Sequence, residues 1–99
     1  MEGSKQKSYV YILTNYWGNV IYVGSTDDLR TRLYQHRTRL IPGFTEKYRV
    51  SKLVYFEEHS DDISALMREK QLKGKTRAKK NAVVESMNPE WKDLSETVR

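Results

Sequence analysis

Cysteine is absent from this 99-residue chain. Its absence excludes disulfides and thiolate-bound metals and fits a reducing compartment. Histidine is scarce as well: only His36 and His59 occur, too few for a histidine-rich metal centre. No long apolar run is present, and the opening "MEGSKQKS" lacks the apolar segment of a secretory signal. The expectation is a soluble cytoplasmic protein with no membrane association. Internal repeats, low-complexity segments and interdomain linkers are also missing. So are a Ser-His-Asp set, a Gly-rich phosphate loop and a Cys-His nucleophile. Two-metal hydrolysis, which wants several acids around a close metal pair, has too few candidates.

What the chain does have is positive charge and aromatic rings. Lys and Arg number 18 against 13 Asp and Glu, giving a net charge of +5 and a pI near 9.5. Such a balance favours a polyanionic partner. Nucleic acid comes ahead of an anionic membrane, because no segment reads as a helix both strongly apolar and Lys-rich. Seven Tyr and two Trp supply much of the apolar surface in amphipathic form. With 37% hydrophobic and 31% charged residues, the composition is that of one polar globular domain with a modest core. Residues 1–7 read as a flexible tail, 8–94 as the domain and 95–99 as a second tail, and a monomer is expected.

The pattern along the chain predicts the order ββαβαα. "SYVYILTN" is apolar on both of its alternating faces and reads as a well-covered strand. "NYWGN" is turn material, with Gly18-Asn19 closing a hairpin onto a second strand, "VIYVGST". Thr26, Asp27 and Asp28 look like a helix start, hydroxyl cap first. The helix "DLRTRLYQHRTRL" places Leu29, Leu33 and Leu40 on one stripe, with His36 in its middle and Arg32 at its edge. "IPGFTEKYRVS" reads as a loop and "KLVYFEEH" as the third strand. A helix from Asp61 to Lys73 carries Ile63, Leu66, Met67 and Leu72 and ends at Gly74. Thr76 caps the last helix, which stops before Asn88-Pro89, and Trp91 and Leu94 fold back onto the core. The fold class is therefore α+β: a small three-stranded antiparallel sheet flanked by helices.

Glu69 is the most informative acid. Ala65, Leu66 and Leu72 are its helical neighbours, so it projects from the apolar side, where a carboxylate needs a cation or a metal. An ion pair with a nearby Lys or Arg satisfies that need as well as a metal does. Arg32 has a comparable structural option, a bridge to the acidic end of "YFEEH". His36 fits a hydrogen-bonded core histidine as well as a proton shuttle, and the tyrosines fit strand packing with a satisfied hydroxyl. "KGKTRAKK" is either a solvated face or a set of phosphate contacts. Asn88 before Pro89 reads as a helix stop.

Together these residues resemble a known family. "VYI" (10–12) and "YVG" (22–24), with ten residues between Tyr11 and Tyr22, resemble the signature of the GIY-YIG nuclease superfamily. The likeness continues through Arg32, His36, "REK" (68–70) and Asn88, and "LMREKQLKG" and "NPEWKDL" read like its small standalone bacterial members. Those members are related to the N-terminal nuclease domain of the bacterial repair excinuclease. The resemblance implies an endonuclease that hydrolyses phosphodiesters with one divalent ion, Mg²⁺ or Mn²⁺, in DNA repair or processing. DNA stands ahead of RNA as its partner. It places Tyr11, Tyr22, Arg32, His36, Glu69 and Asn88 in the catalytic site, Gly24 at its turn and the metal on Glu69. Lys73, Lys75, Arg77 and Lys79 would contact the nucleic-acid backbone.

Three departures from the family pattern stand out: Val10 replaces the first glycine, Ser25 stands where the excinuclease-type domain has a lysine thought to help activate a tyrosine, and no second domain to choose the DNA is expected. A catalytically idle nucleic-acid-binding module on the same fold is the alternative. A protein-interaction adaptor would leave Glu69 and Arg32 as a structural pair. The residues leave open which tyrosine would serve as the base.

Overall fold

A computed structural model describes residues 7–38 and 49–98. The elements are β1 (Ser8–Thr14), β2 (Ile21–Thr26), α1 (Leu29–Arg37), β3 (Lys52–His59), α2 (Asp62–Lys73) and α3 (Arg77–Met87), followed by a 3-10 turn at Ser95–Thr97. The sheet is antiparallel with strand order β2-β1-β3. The expected architecture and element order are those observed. Leu40 and most of the loop around Pro42-Gly43 lie outside the described residues.

Central position explains the double-sided apolar pattern of β1. Val10, Tyr11, Ile12 and Leu13 are all fully buried, because alternate side chains of a middle strand meet cores on both faces. On one face, Tyr11 and Leu13 pack with Leu29 and Leu33 of α1 and with Val50 and Leu53. On the other, Val10, Ile12, Val23 and Val54 meet Ala65 and Leu72 of α2 and Val84 of α3. A bulge against β3 falls between Ile12 and Leu13.

Local chemistry fixes the helix ends, with one shift from the sequence reading. Asp28, not Thr26, caps α1: its side chain accepts from Thr31 N at 3.1 Å, while Thr26 closes β2 and accepts from Asp28 N. A carboxylate cap serves the open N–H groups as well as a hydroxyl does, and β2 keeps Thr26 in its ladder. Asp61 caps α2 and Thr76 caps α3.

The apolar content of α2 divides differently from the expected stripe. Ala65 and Leu72 face the sheet, whereas Ile63, Leu66 and Met67 are exposed. At about 100° per residue, Ile63 and Met67 lie opposite Ala65, so docking through the small alanine turns them to the outside. Beyond α3, Trp91 and Leu94 pack back onto the two cores, and Leu94 N donates to Leu53 O at 2.7 Å. Val98, in the segment expected as a tail, also packs against the α1-side core.

Candidate active site

The site forms where the two helical layers meet around edge strand β2. Pairing sets Tyr11 opposite Gly24 and Leu13 opposite Tyr22, so Tyr11, Gly24 and Tyr22 share the face covered by α1. The Tyr11 ring lies across Gly24: a Cβ there would come within 2.6 Å of the Tyr11 hydroxyl and 3.0 Å of the Tyr22 ring. Glycine is required by this close approach, not by its backbone angles.

From α1, His36 closes the group. Its ring centroid is 5.8 Å from Tyr11 and 5.3 Å from Tyr22, and the two tyrosine rings are 6.3 Å apart. His36 Nε2 shares a 3.1 Å hydrogen bond with the Tyr11 hydroxyl. Burial, helped by the Arg32 charge, pushes the His36 pKa down to about 4. The imidazole is therefore neutral at physiological pH, and its buried Nδ1 has no hydrogen-bond partner among the described residues. Burial also drives the Tyr11 phenol well above its ordinary value. Tyr22 and Glu69 add to that rise, and Arg32 opposes it. Burial thus favours the protonated phenol at Tyr11, and His36 orients it. Tyr22 is only half-buried.

From the opposite face comes Glu69, largely buried on α2 with a side-chain exposure of 14%. Both its oxygens are engaged: Ser25 Oγ donates to Oε1 at 2.5 Å, and Lys73 Nζ lies 2.6 Å from Oε2. The ion pair foreseen for this acid is present, with the lysine one turn on. Ser25 lies two residues beyond Val23 on the α2 side of β2, and that alternation was the available signal for its contact with Glu69. Next to Ser25 a cavity of about 260 Å³ is lined by Arg32, Asp27, Ser8 and the start of α2. Arg32 therefore sits at the mouth between the layers. The bridge considered for it to the acidic end of β3 does not form. Glu57 instead binds Arg68, Tyr55 and His59, and Glu58 pairs with Lys7.

Asn88 makes none of these contacts and is held by the backbone of β3 and of Lys92. Its side-chain amide donates to Val54 O at 3.1 Å and Lys92 O at 2.7 Å, and its oxygen accepts from Lys92 N. Those bonds fasten the end of α3 to β3, the helix-stop role. The basic residues also divide by duty. Lys73 pairs with Glu69, and Arg77 donates to Gly18 O and Asn19 O of the β1–β2 turn. Lys79 is exposed and Lys75 half-exposed.

Two tyrosines, a neutral histidine, an arginine and a carboxylate thus gather around one strand edge. The family model described as the GIY-YIG catalytic domain matches residues 7–81, and the chain belongs to that family, a nuclease superfamily. The match includes every site residue named above except Asn88. A UPF0213 protein of Bacillus pumilus is 33% identical over 86 residues, covering 87% of each chain. The solution structure of a UPF0213 protein from Bacillus halodurans, at 24% identity, superposes with a TM-score of 0.57 over 91% of this chain and 95% of that one, a likeness of fold. No helix among the described residues is long and apolar enough to cross a membrane.

Proposed function

We propose that the protein is a metal-dependent endonuclease that hydrolyses phosphodiester bonds in DNA. The observation carrying this reading is the packing of Tyr11 and Tyr22 against Gly24 with His36 on both rings, Arg32 beside Tyr11, and Glu69 anchored by the neighbouring Ser25. An adaptor or an idle binding module has no use for an inward carboxylate set beside paired phenols.

Hydrolysis needs an activated water and neutralised charge on the phosphoryl oxygens. Tyr22, the more accessible phenol, would accept the water's proton. Tyr11, buried and held by His36 Nε2, keeps its proton and fixes the geometry around Tyr22. Arg32 supplies a planar guanidinium for two phosphate oxygens.

Among the described residues no group of three or more His, Asp or Glu could cage a metal. A lone carboxylate with an adjacent hydroxyl nonetheless suits a hard divalent ion that keeps most of its waters and takes further oxygens from substrate, as Mg²⁺ and Mn²⁺ do. Glu69 would hold it, and its chemistry there would be to acidify water and offset phosphate charge. Lys73 must then release Glu69 Oε2 and becomes available to a phosphate.

Incubation with Mg²⁺ or Mn²⁺ and a panel of single-stranded, duplex, flapped and branched DNA tests the proposal. Cleavage abolished by chelation is expected. Cleavage of no substrate with either ion would refute it.

A further inference from the structure

The hairpin tip carries a feature that the hydrolytic site does not use. Tyr16 and Trp17 are 83% and 78% exposed, and their rings meet edge to face with centroids 5.6 Å apart. Each ring keeps an open face. Large aromatics so exposed on a polar protein mark a contact surface.

The tip is stiffly built. Gly18 takes a φ of +74° and donates to Asn15 O at 3.1 Å. Asn15 and Asn19 bond each other, Thr14 Oγ1 donates to Val20 O, and Arg77 clasps the carbonyls of Gly18 and Asn19. The rings are therefore presented in place, with little ordering left to do on binding.

Their surroundings are cationic. A groove of about 490 Å³ beside the rings is lined by Asn15, Arg49, Ser51, Lys52 and Asp93. Asp93 is occupied by Arg37 and by Leu53 N, whereas Arg49 and Lys52 form no ion pair among the described residues. On the other flank, Lys73, Lys75 and Arg77 run from Glu69 to the base of the tip. Open aromatic faces joined to a hydrolytic centre by a basic track match one kind of partner: a polyanion that also carries flat π-faces.

We infer that Tyr16 and Trp17 form a stacking platform for unpaired nucleobases, so that the preferred substrate has a single-stranded segment beside the cut. Paired bases inside a duplex hide their faces from such a platform, whereas single strands, flaps and bulges expose them. Trp17 is six positions beyond Tyr11, at most about 20 Å of extended chain. The stacked base therefore lies a few nucleotides from the scissile phosphate. The inference rests on the nuclease reading for its partner and deepens it by naming the substrate class.

The test is binding in chelator, where no cleavage occurs. Fluorescence anisotropy compares wild type, Trp17→Ala, Tyr16→Ala and Trp17→Phe on oligo-dT, oligo-rU and a blunt duplex. Trp17→Ala should weaken oligo-dT binding about tenfold and duplex binding less than about twofold, since the phosphate contacts remain. Trp17→Phe should restore most of the loss, because it keeps a ring. Parallel losses on oligo-rU and oligo-dT identify the bases themselves as the ligand, and a loss on one alone assigns the platform to that nucleic acid.

All variants should melt with wild type, as the rings are exposed. Equal losses on single strand and duplex, or no loss on either, would overturn the platform. If the wild type cuts DNA and Trp17→Ala binds normally, the platform alone fails. If Trp17 governs binding and nothing is cut, the nuclease reading alone fails.

Discussion

His36 is buried to 2% exposure with a neutral ring, which makes it a source of acid sensitivity. Its folded pKa of about 4 lies below the 6.5 of a free imidazole, so between those values the unfolded chain binds more protons than the folded one. Stability therefore falls as pH drops through that window, by about 2 kcal/mol on reaching pH 5. Urea unfolding at pH 7 and pH 5 should show this loss in wild type and little of it in His36→Gln. An equal loss in both proteins would place the sensitivity elsewhere. Gly24 predicts a steric effect instead. Gly24→Ala drives a methyl group into the Tyr11 phenol, and such overpacking costs about 1–3 kcal/mol. Thermal melting should register that cost, and cleavage should fall with the displaced tyrosines. Lys73 predicts the opposite sign. Lys73→Met removes the ammonium that competes at Glu69 Oε2, so Mn²⁺ affinity measured by calorimetry should rise by about fivefold, the worth of about 1 kcal/mol for a half-exposed ion pair. A fall would mean that Lys73 helps to hold the ion.

The packed elements explain why the hairpin and α1 were readable from sequence while α2 and the end of α3 were less so. Alternation in "SYVYILT" and "VIYVG" sets the register, and register alone puts Tyr11 over Gly24 and beside Tyr22. The stripe Leu29, Leu33 and His36 fixes which side of α1 meets them. On α2 the apolar residues point in two directions, and only the docked helix shows that Ala65 and Leu72 form the inner face while Ile63 and Met67 look out. The contact of Ser25 with Glu69 joins elements 44 residues apart: strand alternation gives the face Ser25 is on, but not which residue of α2 it meets. Asn88 is ambiguous in sequence for a related reason. As a letter before proline it fits both a helix stop and a family asparagine, and its three bonds to Val54 and Lys92 give it a structural duty whichever applies. Asn88→Ala should therefore cost about 1–3 kcal/mol by leaving buried backbone groups unpaired. Its effect on turnover should track the folded fraction. A loss of cleavage in fully folded protein would place Asn88 in the site as well.

At the scale of the whole molecule, α1 brings cationic and neutral groups to one side of β2 while α2 brings the acid to the other. The fold thus carries Arg32, the proposed phosphate ligand, and Glu69, the proposed metal ligand, on separate layers that meet at the edge strand. The net charge of +5 attracts the polyanion as a whole, so binding should weaken steeply with salt and vary little with sequence. Glu69 carries the central claim, because the nuclease reading needs its charge and the structural reading needs only its place. Glu69→Gln keeps the size and a group to meet Ser25, and the i,i+4 ion pair it loses has its lysine end half in solvent, so the fold should be retained. The direct measurement pairs cleavage with Mg²⁺ or Mn²⁺ against DNA affinity in chelator for this one variant. The account predicts cleavage lowered by at least about a hundredfold, as expected when several kcal/mol of charge stabilisation are lost, with DNA binding equal to wild type or tighter. Cleavage at the wild-type rate by Glu69→Gln would contradict it.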